Sequence, residues 1–411
     1  MQQLSLMDDE EKPPGSPSGS VVEEQQRGMV RPRALSPRSE SFLREFFPEA
    51  TINDWNNWHW QLRNRIKDFS SLSRIIQLSA EEKAQLSSHS MPLSITPYYT
   101  SLLDRWNPDD PLRKTVVPVS EENNILPEEM VDPLGEHSNS PCDSLVHRYP
   151  DRVLFLVTDF CSTYCRYCTR SRLVGRRLDT FLWRERWERA LSYIETHTEI
   201  RDVLISGGDP LTLSEEKLFW LLNRLRKIPH VEVIRIGTKA PVVLPQRITP
   251  VLTSMLKMFH PLWMSIHFTH PKELTPETIE ACNQIADAGI PMLSQTVLLA
   301  GVNDNVEVLK RLFHGLLKIR VKPYYLYQCD PVPGTSHFRT PVEKGLEIVS
   351  SLQGFTSGFA VPNFVIDVPG GGGKIPLFPN RILGRDGNCL ILNNFEEKQL
   401  RYPDITTPCK N

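Results

Sequence analysis

Beyond residue 152 the chain alternates between short apolar runs and longer stretches with helical spacing. The runs lie at 153–158, 203–206, 233–238, 264–268, 294–299, 321–328 and 364–368, each of strand length. Between them, 187–197, 214–228, 250–259, 276–288, 306–319 and 341–352 repeat apolar residues at the spacing of one helix face. Several of these open on helix-start signals: Ser214 followed by Glu215 and Glu216, and a first-turn proline in Thr275-Pro276 and Thr340-Pro341. Strand and helix in strict succession predict a parallel sheet with helical crossovers, an α/β fold built as a partial (βα) barrel. In that architecture chemistry gathers at the C-terminal ends of the strands, and the candidate residues are expected there.

Before the barrel the pattern is different. Residues 1–40 are dominated by Pro, Ser, Gly, Glu and Arg with few large apolar side chains, which predicts a disordered leader. The stretch 41–112 carries helix signals. It includes an aromatic-rich segment with Trp55, Trp58 and Trp60 as core anchors, and a polar helix opening at Ser79 with Glu81 and Glu82 in its first turn. Residues 118–141 are polar and proline-punctuated, and read either as a linker or as an arm wrapping the next domain. The chain therefore divides into a leader (1–40), a helical N-terminal region with linker (41–146), the barrel (147–374) and a C-terminal tail (375–411).

Composition narrows the function. At 411 residues one large barrel with appendages accounts for the length, and a net charge of -2 lacks the basic excess of a nucleic-acid binder. No apolar run approaches the roughly 20 residues of a membrane span. The N-terminus does not combine a basic start with an apolar core, and the cysteines cluster instead of forming a disulfide framework, so a reducing, cytoplasmic setting is expected.

The cluster is Cys161, Cys165 and Cys168, spaced C-x3-C-x2-C in a loop directly after the 153–158 run. Three thiolates can hold three corners of a 4Fe-4S cluster and leave one iron open for a small ligand; a zinc knuckle is the alternative. Ser206-Gly207-Gly208-Asp209 ends the next run. Its glycines allow close backbone approach to a ligand and Asp209 can accept from an ammonium or hydroxyl, unless the segment is a plain turn. Pro369-Gly370-Gly371-Gly372-Gly373-Lys374 is not a nucleotide-binding loop, because Val368 and Ile375 stand where that motif needs Gly and Ser or Thr. The glycines can clear room for a flat group with Lys374 at its edge, suited to an aldehyde cofactor such as pyridoxal phosphate, or they can form a flexible turn. Arg148 and Arg152 offer paired guanidinium groups for a phosphate or for structural ion pairs. Arg170, just past Cys168, can hold a substrate carboxylate. Asp330 and Asp367 each end an apolar run, where a buried carboxylate needs a cation.

Taken together, the segments HRYPDR, CSTYCRYCTR, RDVLISGGD, HVEVIRIGTKAPVVLPQRITP, YYLYQCD, HFRTPVEKG and FVIDVPGGGGK resemble the lysine 2,3-aminomutase family of radical S-adenosylmethionine (SAM) enzymes, from about residue 55 to 404. The resemblance implies that Cys161, Cys165 and Cys168 bind a 4Fe-4S cluster whose open iron is chelated by SAM, with Ser206, Gly207, Gly208 and Asp209 forming the SAM region. Reductive cleavage then gives a 5'-deoxyadenosyl radical. Lys374 is implied to carry pyridoxal phosphate, with Arg148 and Arg152 on its phosphate, Arg170 on the substrate carboxylate, and Asp330 and Asp367 on the substrate ε-ammonium. The implied reaction interconverts L-lysine and β-lysine through an external aldimine. Arginine as substrate, lysine aminomutation in the service of translation-factor modification, and a noncatalytic metal-binding scaffold are the alternatives. Implied partners are the amino acid, an electron donor such as flavodoxin or ferredoxin, and a possible second copy of the chain. Asn305 at the barrel position of a family zinc ligand, and a lone Cys409 in the tail, count against structural zinc; Tyr167 and Ser171 also depart from the commoner pattern.

Overall fold

The computed structural model describes residues 34–85, 91–175 and 183–405. Most of the predicted leader, residues 1–33, lies outside the described residues, as does Cys409. The leader's far boundary needs correction: Ser36 caps a helix at Pro37–Phe46, and Phe42 and Leu43 are buried from it. In the N-terminal region Ser79 accepts from the Glu82 N–H and caps Ala80–Ala84, as its sequence predicts. Glu82 is more than a first-turn acid. It lies buried against Arg113, with Nε donating at 2.7 Å. Trp55 is fully buried and Trp58 nearly so, the anchoring role expected of them.

The barrel is a nine-stranded sheet in strict sequence order. Its strands are β1 (Leu145–Tyr149), β2 (Arg152–Thr158), β3 (Asp202–Gly207), β4 (Val233–Thr238), β5 (Leu262–His267), β6 (Met292–Leu298), β7 (Val321–Gln328), β8 (Asn363–Val368) and β9 (Gly373–Leu377). Strands β2 to β8 pair in parallel, and β1 and β9 add antiparallel edges. The crossovers are helices α1 (Trp183–Thr196), α2 (Glu215–Arg226), α3 (Pro250–Lys257), α4 (Pro276–Asp287), α5 (Val306–Lys318) and α6 (Val342–Leu352), matching the helical stretches read from the sequence. No pairing joins β1 to β9 among the described residues, so the barrel is partial.

Alternation along the strands sorts two environments. Val153 and Phe155 of β2 and Val203 and Ile205 of β3 are buried, and Phe155 meets Trp187 of α1 edge-on. Their neighbours Leu154, Leu204 and Ser206 point the other way and line an internal cavity of about 430 Å³. The barrel interior is thus a chamber, and the close-packed core lies between sheet and helices.

Of two further segments, one takes the second of its two sequence readings and the other needs correction. Residues 118–141 are the wrapping arm: Met130 donates its N–H to the Pro331 carbonyl at 2.8 Å, and Gly370 donates to the Pro133 carbonyl at 3.0 Å. The region 375–411 is not a simple tail. It begins inside β9 and continues as a three-stranded antiparallel sheet, β10 (Ile382–Asp386), β11 (Cys389–Asn393) and β12 (Gln399–Pro403). No helix among the described residues is long and apolar enough to cross a membrane.

Candidate active site

Strand β2 delivers the cysteine loop, and the next strand's glycines hold it in place. A Cβ on Gly207 would lie 2.3 Å from the Thr158 carbonyl oxygen, and one on Gly208 would lie 2.4 Å from that of Phe160. Both separations are forbidden to a side chain, so the two glycines serve close approach between two backbones. The N–H of Asp209 donates to the Phe160 carbonyl at 2.8 Å, clamping the loop. In this structure the close approach these glycines allow is to the backbone of the cysteine loop. Asp209 is also committed internally, accepting from the Thr238 hydroxyl at 2.6 Å and from the N–H groups of Lys239 and Leu211 at 2.9 and 3.0 Å. Of the predicted SAM region only Ser206 lines the cavity.

Burial, with Asp209 and the other two thiols next in effect, pushes the Cys161 thiol well above its usual range. Burial and the neighbouring Cys165 push Cys168 up to about 11. Burial therefore disfavours each thiolate, and a bound iron would offset that by deprotonating the thiol outright. The loop fits a cluster on that ground. It does not form a single-ion site, since no three His, Cys, Asp or Glu side chains among the described residues converge on one position. Asn305 accepts from Glu307 and Val308 N–H groups as the cap of α5.

At the opposite edge of the sheet, Lys374 of β9 faces Asp367 of β8 in register. Lys374 Nζ lies 2.7 Å from one Asp367 oxygen, and Arg148 Nη1 lies 3.3 Å from the other. Asp367 is 5% exposed, and it stands between two cations. The preceding glycines form the turn that joins β8 to β9. Gly370 and Gly373 have φ of 74° and 90°, left-handed conformations that turn β8 back into β9, and Gly370 has no heavy atom within 4 Å of a built Cβ. Lys374 is fixed by its own N–H donating to the Tyr149 hydroxyl at 2.9 Å.

The remaining expectations are met in part. Asp330, just beyond β7, lines the cavity and accepts from the Thr169 hydroxyl at 2.6 Å. Burial, then the charge of Asp367, raises its carboxyl to about 6. The two aspartates therefore sense each other, as a shared cation pocket requires. Arg170 lines the cavity but is held by Glu136 of the arm at 2.8 Å. Arg148 and Arg152 depart from the rule that chemistry sits at strand C-termini. Arg152 is the first residue of β2 and Arg148 lies next to its partner on β1, so both enter from the other end. Arg152 stacks over Tyr149 at 4.0 Å and pairs with Asp151. Arg148 Nη2 is buried without a hydrogen-bond partner.

Sequence reading missed Glu136, which also binds Arg172 at 2.6 Å, because the arm has no periodicity to announce an inward residue. It missed His267 and Gln295, inward-facing at β5 and β6, and Arg235, which crosses to Asp202 at 2.8 Å. Burial lowers His267 to about 3, so its imidazole is neutral in the cavity. Strand alternation groups each of these three with one face of its strand, but does not say which face meets the chamber.

A barrel of this topology with a three-cysteine loop after its first parallel strand is the arrangement of a radical SAM enzyme, and the family model described as the Radical SAM superfamily matches residues 155–313. The model described as Lysine-2,3-aminomutase matches residues 349–410. The L-lysine 2,3-aminomutase of Acetoanaerobium sticklandii is 52% identical over 86% of this chain and 85% of its own length. That of Bacillus subtilis is 49% identical over 88% of this chain and 77% of its own. The glutamate 2,3-aminomutase of Clostridioides difficile is 41% identical over 92% and 89%. The chain belongs to the lysine 2,3-aminomutase family. It is a radical SAM isomerase that moves an amino group within an amino acid, with a 4Fe-4S cluster and SAM as its radical source.

Proposed function

We propose that the chamber holds pyridoxal phosphate at Lys374 and that lysine is the amino acid whose nitrogen migrates between Cα and Cβ. The observation that carries the substrate is the pair of buried carboxylates, Asp330 and Asp367, on one cavity wall within electrostatic reach of each other. A glutamate side chain would place a third carboxylate against them; a side-chain ammonium answers both. Asp367 is neutralised by Lys374 in this structure. Once Lys374 leaves it, Asp367 needs another cation, and the substrate's ε-ammonium supplies one.

The cofactor reading is supported by the buried, unpartnered Arg148 Nη2, a donor in want of an anion, with Arg152 lining the same end of the cavity. Bound there, pyridoxal phosphate supplies a conjugated ring that spreads an unpaired electron beside the migrating nitrogen. The protein's own contributions are orientation and exclusion. Arg170, aligned by Glu136, takes the substrate carboxylate; Asp330 takes the far ammonium; the arm and Tyr327 limit water around Lys374, whose ammonium lies 5.8 Å from that ring. A low-potential one-electron donor of the flavodoxin or ferredoxin type delivers the electron that starts each radical.

The test is an anaerobic assay of cluster-reconstituted protein with SAM, a strong reductant and either lysine, arginine or glutamate, with and without pyridoxal phosphate. β-Lysine as the dominant, pyridoxal-dependent product is expected. β-Arginine or β-glutamate in its place overturns the substrate assignment, and pyridoxal-independent turnover overturns the cofactor assignment.

A further inference from the structure

Among the described residues three cations stand near the three thiols, and one of these keeps its charge free of a carboxylate. Lys239 acts on Cys165 and Arg170 on Cys168. Each is already neutralised: Lys239 Nζ lies 2.8 Å from the fully buried Glu273, and Arg170 lies 2.8 Å from Glu136. The third, Arg65, comes from the N-terminal region, outside the barrel altogether. Its Nη1 donates to the Cys161 carbonyl at 3.2 Å and to the Ser94 hydroxyl at 3.1 Å, and its Nε donates to the Leu62 carbonyl at 2.9 Å. The guanidinium lies 4.4 Å over the Phe160 ring. Every one of these partners is uncharged, and no carboxylate pairs with Arg65 among the described residues.

The placement is rigid. Ile66 and Ile95 exchange backbone hydrogen bonds at 2.8 and 3.0 Å, one residue on from Arg65 and Ser94. Tyr164 of the cysteine loop donates its N–H to the Ser94 carbonyl at 2.9 Å, and Thr96 donates its N–H to the Thr163 hydroxyl at 3.3 Å. The N-terminal region is thereby sewn to the cysteine loop along one seam, with the guanidinium at its centre. The carboxylates that act on Cys161 are Asp209 and Asp159. Arg65 is the unneutralised positive charge that opposes them.

We propose that Arg65 is a positioning residue that sets the reduction potential of the iron–sulfur cluster. On reduction the cluster takes one electron from a low-potential one-electron donor, no bond forms or breaks, and the site gains one negative charge. A fixed cation stabilises that more negative state and raises the potential, since cluster potentials follow local charge, hydrogen bonding and exposure. The cluster is held through the radical SAM portion of the chain, so the proposal stands independently of pyridoxal phosphate and of the substrate.

The experiment is a redox titration of the anaerobically reconstituted holoprotein, followed by electron paramagnetic resonance of the reduced cluster and normalised to iron. In Arg65→Gln the ratio of reduced to oxidised cluster at a given poise should fall about tenfold, a shift of ~59 mV to lower potential for a one-electron couple. Arg65→Lys, which keeps the charge and loses the fork, should stay near the wild-type potential. A role confined to stapling the seam would instead cut iron uptake in both variants and leave the potential of the loaded fraction unmoved. An unshifted potential in iron-loaded Arg65→Gln overturns the proposal. Should Arg65→Gln fail to take up iron, Ser94→Asp sets a carboxylate beside the guanidinium with Arg65 in place. The same downward shift is expected there, and an unmoved potential again overturns the assignment.

Discussion

The cysteine loop and the Lys374 hairpin border one chamber, and both depend on glycines, but the glycines do different work. Gly207 and Gly208 are needed for space, since any Cβ would strike the backbone of Thr158 or Phe160, and Gly207 adds a φ of 121° to that demand. Gly370 and Gly373 are needed for conformation, since each sits at positive φ, and Gly370 has open space around it. The first region is held by backbone contacts and leaves its thiolates disfavoured by burial. The second is held by ion pairs, Lys374 and Arg148 sharing the one carboxylate of Asp367. A site built by backbone is preformed for a group that must not move. A site built by exchangeable ion pairs can release a lysine and accept another cation in its place.

The sharpest way to break that comparison is to remove one reactive group from each region. Cys165→Ala should lose cluster iron and SAM cleavage while keeping pyridoxal absorbance; Lys374→Ala should keep iron and SAM cleavage while losing pyridoxal absorbance, with amino migration below detection in both. Iron analysis and visible spectra check the pair, and loss of both cofactors from either variant would show that the regions are not separable. Next in size is Gly208→Ala, whose methyl cannot fit without moving the Phe160 backbone that carries the loop. Most of the iron should be lost. Gly358→Ala, with nothing within 4 Å and an ordinary φ, should retain full iron and melt within about 0.5 kcal/mol of wild type.

The parallel strands and their helices were legible because period-two and helical spacing survive in the sequence without tertiary help. The direction of that alternation was not. Leu154, Leu204 and Tyr325 look like core residues in a sequence, yet they face the chamber, while Phe155 and Val203 make the core. The cysteines and Lys374 were readable from spacing and composition. Glu136 was not, because an aperiodic arm gives no sign of which acid turns inward. Nor could the position of Arg148 and Arg152 be read: a residue next to a strand start and one next to a strand end look alike until the strand's neighbours are known. Glu82 shows the same limit, legible as a helix-start acid and unreadable as the buried partner of Arg113.

The two aspartates sharpen the comparison most finely, because the same substitution should move stability in opposite directions. Asp367 neutralises Lys374 and Arg148, and Asp367→Asn leaves two cations facing an amide in a buried site. That should destabilise by about 3–5 kcal/mol, the usual cost of breaking one side of a buried pair. Among the described residues the Asp330 carboxylate accepts from the Thr169 hydroxyl and has no direct ion pair, and its carboxyl is raised from 3.8 to about 6 by burial and by Asp367. A carboxyl whose folded pKa exceeds its unfolded one holds more protons in the folded state between the two values. Stability therefore falls as pH rises through that window, and the penalty is complete above about 6. Asp330→Asn removes the penalty: at pH 8 the cofactor-free variant should melt above wild type, and the gap should close as pH is lowered toward 4. The binding effect has the other sign. KM for lysine should rise at least about tenfold at pH 8, ~1.4 kcal/mol, because the ammonium loses a counter-charge. Wild-type KM should itself climb toward the variant's as pH falls through about 6 and Asp330 takes up its proton. Melting curves and KM across that range test both halves together, and a KM for lysine that ignores Asp330→Asn would remove this carboxylate from the substrate pocket.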